Sequence, residues 1–82
     1  MRQKYSKTLF EATTPLTLRI DGLHSIEEAR KVRQALRMLN GVAKAEVREQ
    51  EGLVEIQYVP ERVDVPTLIA TIGGLGFSAR QQ

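Results

Sequence analysis

Leu16, Leu18 and Ile20 are separated by Thr17, Arg19 and Asp21. A period of two is that of a strand with one buried and one wet face, and Gly22 ends it. The period then changes. Ile26, Ala29, Val32, Leu36 and Leu39 recur every three or four residues, which predicts a helix from about residue 26 to residue 39 with one buried stripe. Glu27 and Glu28 fall in its first turn and Arg37 in its last, the polarity that suits the helix dipole, and Glu27 with Lys31 should form an i,i+4 pair. Asn40-Gly41 supplies the left-handed stop.

Ala43, Ala45 and Val47 alternate with Lys44, Glu46 and Arg48, which predicts a second strand. Leu53 to Val59 predicts a third, with Val54, Ile56 and Tyr58 on one face. Between them Glu49-Gln50-Glu51-Gly52 reads as a hairpin loop in which Gly52 can take positive φ. Pro60 closes the third strand. Asp64 caps a second helix that tolerates Pro66 in its first turn, where the amide has no intrahelical partner. Leu68, Ile69, Ile72 and Leu75 form its stripe, Gly73-Gly74 weakens its last turn by about 1 kcal/mol per glycine, and Phe77-Ser78-Ala79 is a short last strand. The order β-α-β-β-α-β predicts an α+β, ferredoxin-like βαββαβ sandwich: a four-stranded antiparallel sheet with two helices on one face and the other face open. Residues 1–14 show no period, so a flexible N-terminal segment is expected ahead of one domain over residues 15–82.

Composition narrows the chemistry. A chain of 82 residues holds one small core, burying roughly 60% of the unfolded surface. The net charge of +2 is too small to mark a nucleic-acid footprint by itself. There is no cysteine, hence no disulfide and no thiolate metal site. No apolar run approaches the roughly 20 residues that cross a bilayer, and residues 1–14 lack a signal-peptide core, so a soluble, cytoplasmic protein is expected. One histidine, no Ser-His-Asp spacing and no phosphate-cradling loop argue against an enzyme. Gly73-Gly74-Leu75-Gly76 follows a helix, presenting carbonyls rather than amides, the wrong polarity for phosphate. Arg19, Arg30, Lys31, Arg33 and Arg37 could suggest RNA, but they lie mostly on a helix and the middle strands offer no aromatic stacking pair, Tyr58 reading as core; no nucleic-acid partner is expected.

Residues 22–28, GLHSIEE, carry the remaining chemistry. Ser-x-x-Glu ahead of an apolar stripe is a capping box: the Ser25 hydroxyl accepts from the Glu28 amide, and the Glu28 side chain reaches back to the Ser25 amide. The alternative is a weak site for a hard divalent ion (zinc, nickel or cobalt) on the His24 imidazole with the Glu27 or Glu28 carboxylate, leaving most of the coordination to water. His24 and Glu28 are the candidate ligands. No other cofactor is expected.

In this order and at these spacings, LTLRIDGL, LRMLNGVAKAEV, GLVEIQYVP and DVPTLIATIGGLGF make residues 16–80 resemble the heavy-metal-associated domain. That module occurs in small copper chaperones and in the cytoplasmic tails of copper- and zinc-transporting P-type ATPases. The family's metal motif, Gly-Met-x-Cys-x-x-Cys, falls on Gly22 to Glu28, so Ser25 and Glu28 stand at the two cysteine positions and both thiolate ligands are replaced. The resemblance implies a member without the metal site that works by contact with a metal chaperone, a transporter's other domains or itself. The docking surface it implies is the loop of Leu23, His24 and Ser25, the first turn of helix one, and the Gly76-Phe77 loop; Leu23 and Phe77 serve equally well as buried supports of that loop.

Overall fold

A computed structural model describes residues 12–82. Its elements are β1 (Thr14–Asp21), α1 (Ile26–Arg37), β2 (Val42–Arg48), β3 (Leu53–Tyr58), α2 (Val65–Gly73) and β4 (Ser78–Gln81). The expected leader lies outside the described residues except for its last three, of which Thr14 opens β1. The strands form one sheet in the order β2-β3-β1-β4, antiparallel throughout. β1 is central: Leu18 lies opposite Val54 of β3, and Ile20 opposite Ala79 of β4. This is the ferredoxin-like arrangement the periodicity predicts.

The core is the inner face of that sheet closed by the two helices. Leu18, Val54 and Ile56 from the sheet meet Val32 and Leu36 of α1 and Leu68 and Ile72 of α2, all essentially inaccessible to water. Burying each contributes roughly 1.5–3 kcal/mol before the entropy of ordering it. Tyr58 packs on the edge of this cluster, as its strand phase requires. Among the described residues no helix is long and apolar enough to cross a membrane.

Three stripe residues depart from the pattern. Ile26 is 62% exposed. It is the first residue of α1, and a three-residue step back from Ala29 carries it about 60° further from the buried line, which there runs through Ser25 and Glu28. Leu75 is 39% exposed because α2 ends at Gly73 with Gly74 as its C-cap, before the stripe can return inward. Ala43 is exposed because β2 carries a bulge between Val42 and Lys44; this gives the half-buried inward place to Val42 and resets the alternation for Ala45. Among the described residues Glu27 and Lys31 make no ion pair, so the expected i,i+4 pair is not formed.

Candidate functional site

The 22–25 loop is built by two glycines and two apolar supports. Gly22 takes φ +95 and turns the chain out of β1. A β-carbon there would stand 3.5 Å from the Phe77 ring, so the aromatic edge lies directly against the loop backbone. Gly76, at φ +99, delivers Phe77 to that place after α2. Leu23 and Phe77 are both half-buried and pack against the core, which is the supporting role rather than the exposed one. His24 is exposed.

Ser25 is the N-cap of α1, extended at φ −150 and ψ 161, and its Oγ accepts from the Glu28 amide at 3.2 Å. Its carbonyl accepts the first helical bond, from Ala29, at 3.1 Å. The return arm of the capping box differs from the expected one. Glu28 Oε1 accepts from the His24 amide at 2.7 Å, one residue beyond Ser25. The Glu28 carboxylate therefore ties down the residue ahead of the cap, and its negative charge also sits at the positive end of the helix.

His24 and Glu28 are thus brought together, but through the main chain of His24. Among the described residues no three of His, Cys, Asp and Glu gather closely enough to hold a metal ion. The oxygen donors at residues 25 and 28 are hard, and each already accepts a backbone hydrogen bond. A soft monovalent copper ion requires thiolate or thioether, so this donor set does not fit it.

The site feature that the hydrophobic pattern conceals is Ile26, which reads as the first member of the core stripe and is instead exposed at the loop's edge. Its only sequence signal is its N1 position, where the helix protrudes beyond the residues that cover it.

The heavy-metal-associated domain model matches residues 17–78. Among solved structures, the chain resembles a candidate copper-ion-binding protein from Bacillus anthracis str. Ames at TM-score 0.82 and 26% identity, covering 85% of this chain and 99% of that one. It resembles the N-terminal domain of a potential copper-translocating P-type ATPase from Bacillus subtilis, in the Cu(I)-loaded state, at 0.81 and 25%, covering 84% and 86%. The CopZ metallochaperone follows at 0.79 and 25%, covering 82% and 100%. No curated protein matches the chain closely in sequence. With the family model matching residues 17–78, most of the folded part, the chain belongs to the heavy-metal-associated domain family.

Proposed function

We propose that this domain is a cytoplasmic protein-interaction or regulatory module of a metal-transport or metal-trafficking system, acting by contact rather than by catalysis or by carrying copper. One observation carries this reading: the two side chains that the resemblance sets at the family's cysteine positions are engaged in the loop itself, Ser25 with the Glu28 amide and Glu28 with the His24 amide. The loop is held in shape while its soft donors are gone, which suits a surface that is recognised rather than one that transfers an ion. The likeness to a metallochaperone and to a transporter's N-terminal domain supports partners of those kinds. Leu23 and Phe77 brace the loop from below, and His24 and Ser25 present it to the partner.

The reading is tested by following the amide spectrum of the domain during two titrations, one with Cu(I), Zn(II) and Ni(II), the other with a metallochaperone or the N-terminal domain of a copper-transporting ATPase. Shifts confined to residues 22–28 and 76–77 on adding protein, with no tight Cu(I) binding, are expected. Submicromolar Cu(I) affinity overturns the proposal. Divalent binding that disappears in His24→Ala assigns the loop instead to a hard ion on His24 and Glu28.

A further inference from the structure

The cations of the sheet have partners: Arg48 pairs with Glu55 at 3.3 Å and Arg80 with Asp21 at 3.0 Å. Those of α1 do not. Among the described residues Arg30, Arg33 and Arg37 make no ion pair. At about 100° per residue, Ile26, Arg30, Arg33 and Arg37 fall within about 60° of one another, on a stripe beside the buried Ala29. That stripe faces β2. Ile26, Arg30 and Arg33 form one wall of a shallow groove, and Val47 and Glu49 lie along the other. The groove continues past Ile26 to Glu49 and Glu51 of the β2–β3 hairpin, and at its other end to Arg37 and Met38. Because the start of α1 lies beside the hairpin that follows β2, helix and strand run in opposite directions.

The strand wall of this groove is a sheet edge. β2 ends the order β2-β3-β1-β4, so its outer side has no strand partner among the described residues. Alternate amides and carbonyls along it point away from β3 and stay open to another strand. Natural edges are blunted by bulges and by lysine, and β2 has both at its start, the bulge between Val42 and Lys44 and Lys44 itself. From Lys44 to Arg48 the register with β3 is unbroken, a length of about 14 Å. The stripe from Ile26 to Arg37 spans about 16 Å of the helix beside it. Strand edge and helix stripe therefore match in length.

We propose that an extended segment of a partner protein adds to the sheet along β2, antiparallel to it, with alternate side chains lying against α1. Antiparallel pairing continues all three existing ladders and is slightly the more stable of the two kinds. Charge decides what the alternate side chains are. The groove is acidic at the hairpin, at Glu49 and Glu51, apolar at Ile26 and Val47, and basic toward Arg33 and Arg37. A strand antiparallel to β2 enters at the hairpin end. The segment that fits presents a cation, then an apolar residue, then carboxylates, each separated by one residue that faces away from the helix. An anionic bilayer or a nucleic acid would meet the arginines. Neither supplies the amides and carbonyls that the edge lacks, and neither accounts for an acidic, apolar end. The edge is a surface separate from the 22–25 loop, so this inference goes beyond the loop-docking reading and does not depend on it.

The probe is the heptapeptide Lys-Thr-Ile-Thr-Glu-Thr-Glu, titrated into the 82-residue protein and followed by amide shifts and hydrogen exchange. Saturable shifts are expected at residues 44–48 and along α1, with alternate amides of β2 gaining protection from exchange. Shifts at residues 76–77 belong to the loop reading and are not expected, so either reading can fail alone. Arg30→Glu combined with Arg33→Glu should weaken binding by about tenfold or more, and salt should weaken it in the parent protein. Two further peptides, N-methylated at the odd or at the even residues, separate edge pairing from simple charge attraction. One should lose binding, because its methyl groups face β2, and the other should keep most of it. No saturable shift at millimolar peptide, equal binding of the two N-methylated peptides, unchanged exchange along β2, or full affinity in the double charge reversal each overturns the proposal. So does displacement of the peptide by phosphatidylserine vesicles, which would give this face to a membrane.

Discussion

The Ser25 hydroxyl satisfies one of the four amides that the start of α1 leaves without a helical partner, and the Glu28 carboxylate satisfies the amide of His24 just ahead of it. Ser25→Ala should therefore destabilise the domain by about 0.5–2 kcal/mol in urea unfolding, with or without metal present. Glu28→Gln should be milder than Glu28→Ala, because the amide oxygen of glutamine still accepts from His24. A Ser25→Ala variant of unchanged stability, with the helix intact, would refute the capping assignment. Asp64 does the same work for α2, accepting from both the hydroxyl and the amide of Thr67. Those bonds, the hydroxyl's first and the amide's second, hold its carboxyl below the usual aspartate range. A depressed folded-state pKa means that the contribution is complete above the unfolded value, about 4, and is lost as pH falls through the folded one. Asp64→Asn keeps an acceptor but cannot titrate. Its urea midpoint should fall less than that of the parent protein on acidification below about pH 4, and parallel pH curves for the two proteins would exclude this role.

At the scale of elements, the turn from α1 into β2 is set by Gly41. Its φ is +108, its carbonyl accepts from the Val59 amide at 2.8 Å, and an added β-carbon would stand 2.8 Å from Arg62 Cβ and 2.9 Å from Val63 Cγ1. Gly41→Ala combines an unfavourable backbone with a clash against a neighbouring loop, and should destabilise by about 2 kcal/mol or more. Gly73 is the contrasting case: it is helical, with nothing within 4 Å of the added carbon, so Gly73→Ala should stabilise by about 0.5–1 kcal/mol. Equal effects of the two substitutions in thermal unfolding would contradict both assignments. The sequence marks Gly41 only as a helix stop; the neighbours at 62 and 63 that make it irreplaceable are brought there by the fold. The same division runs through the other elements. Strand and helix periods are legible because burial imposes them. Ile26, Leu75 and Ala43 are misread because each lies where an element begins, ends or bulges, and there the geometry of the partner, rather than the period, decides which side is covered.

For the molecule as a whole, the βαββαβ order was legible from periodicity, and the N-terminal cap of α1 from the Ser-x-x-Glu pattern at residues 25–28. The way Glu28 is spent was not, because the choice between the amides of residues 24 and 25 depends on how the chain leaves Gly22. That distinction bears on the relation of this domain to its family. If residues 22–28 keep the backbone of a metal loop and have changed only its donors, then Ser25→Cys combined with Glu28→Cys should sacrifice both capping bonds yet recreate two thiolates one helical turn apart. The double variant should be less stable than the parent without metal and should bind Cu(I) tightly. It should gain stability in proportion to the logarithm of free metal, since a ligand held only by the folded state stabilises it by mass action. Thermal unfolding with and without Cu(I) under a competing chelator measures this directly. A folded double-cysteine domain that leaves Cu(I) with the chelator would mean that the hydrogen bonds of Ser25 and Glu28 do more than occupy the metal positions: they would hold residues 22–28 in a shape the metal-binding relatives do not share, and the capped loop itself would be the feature a partner recognises.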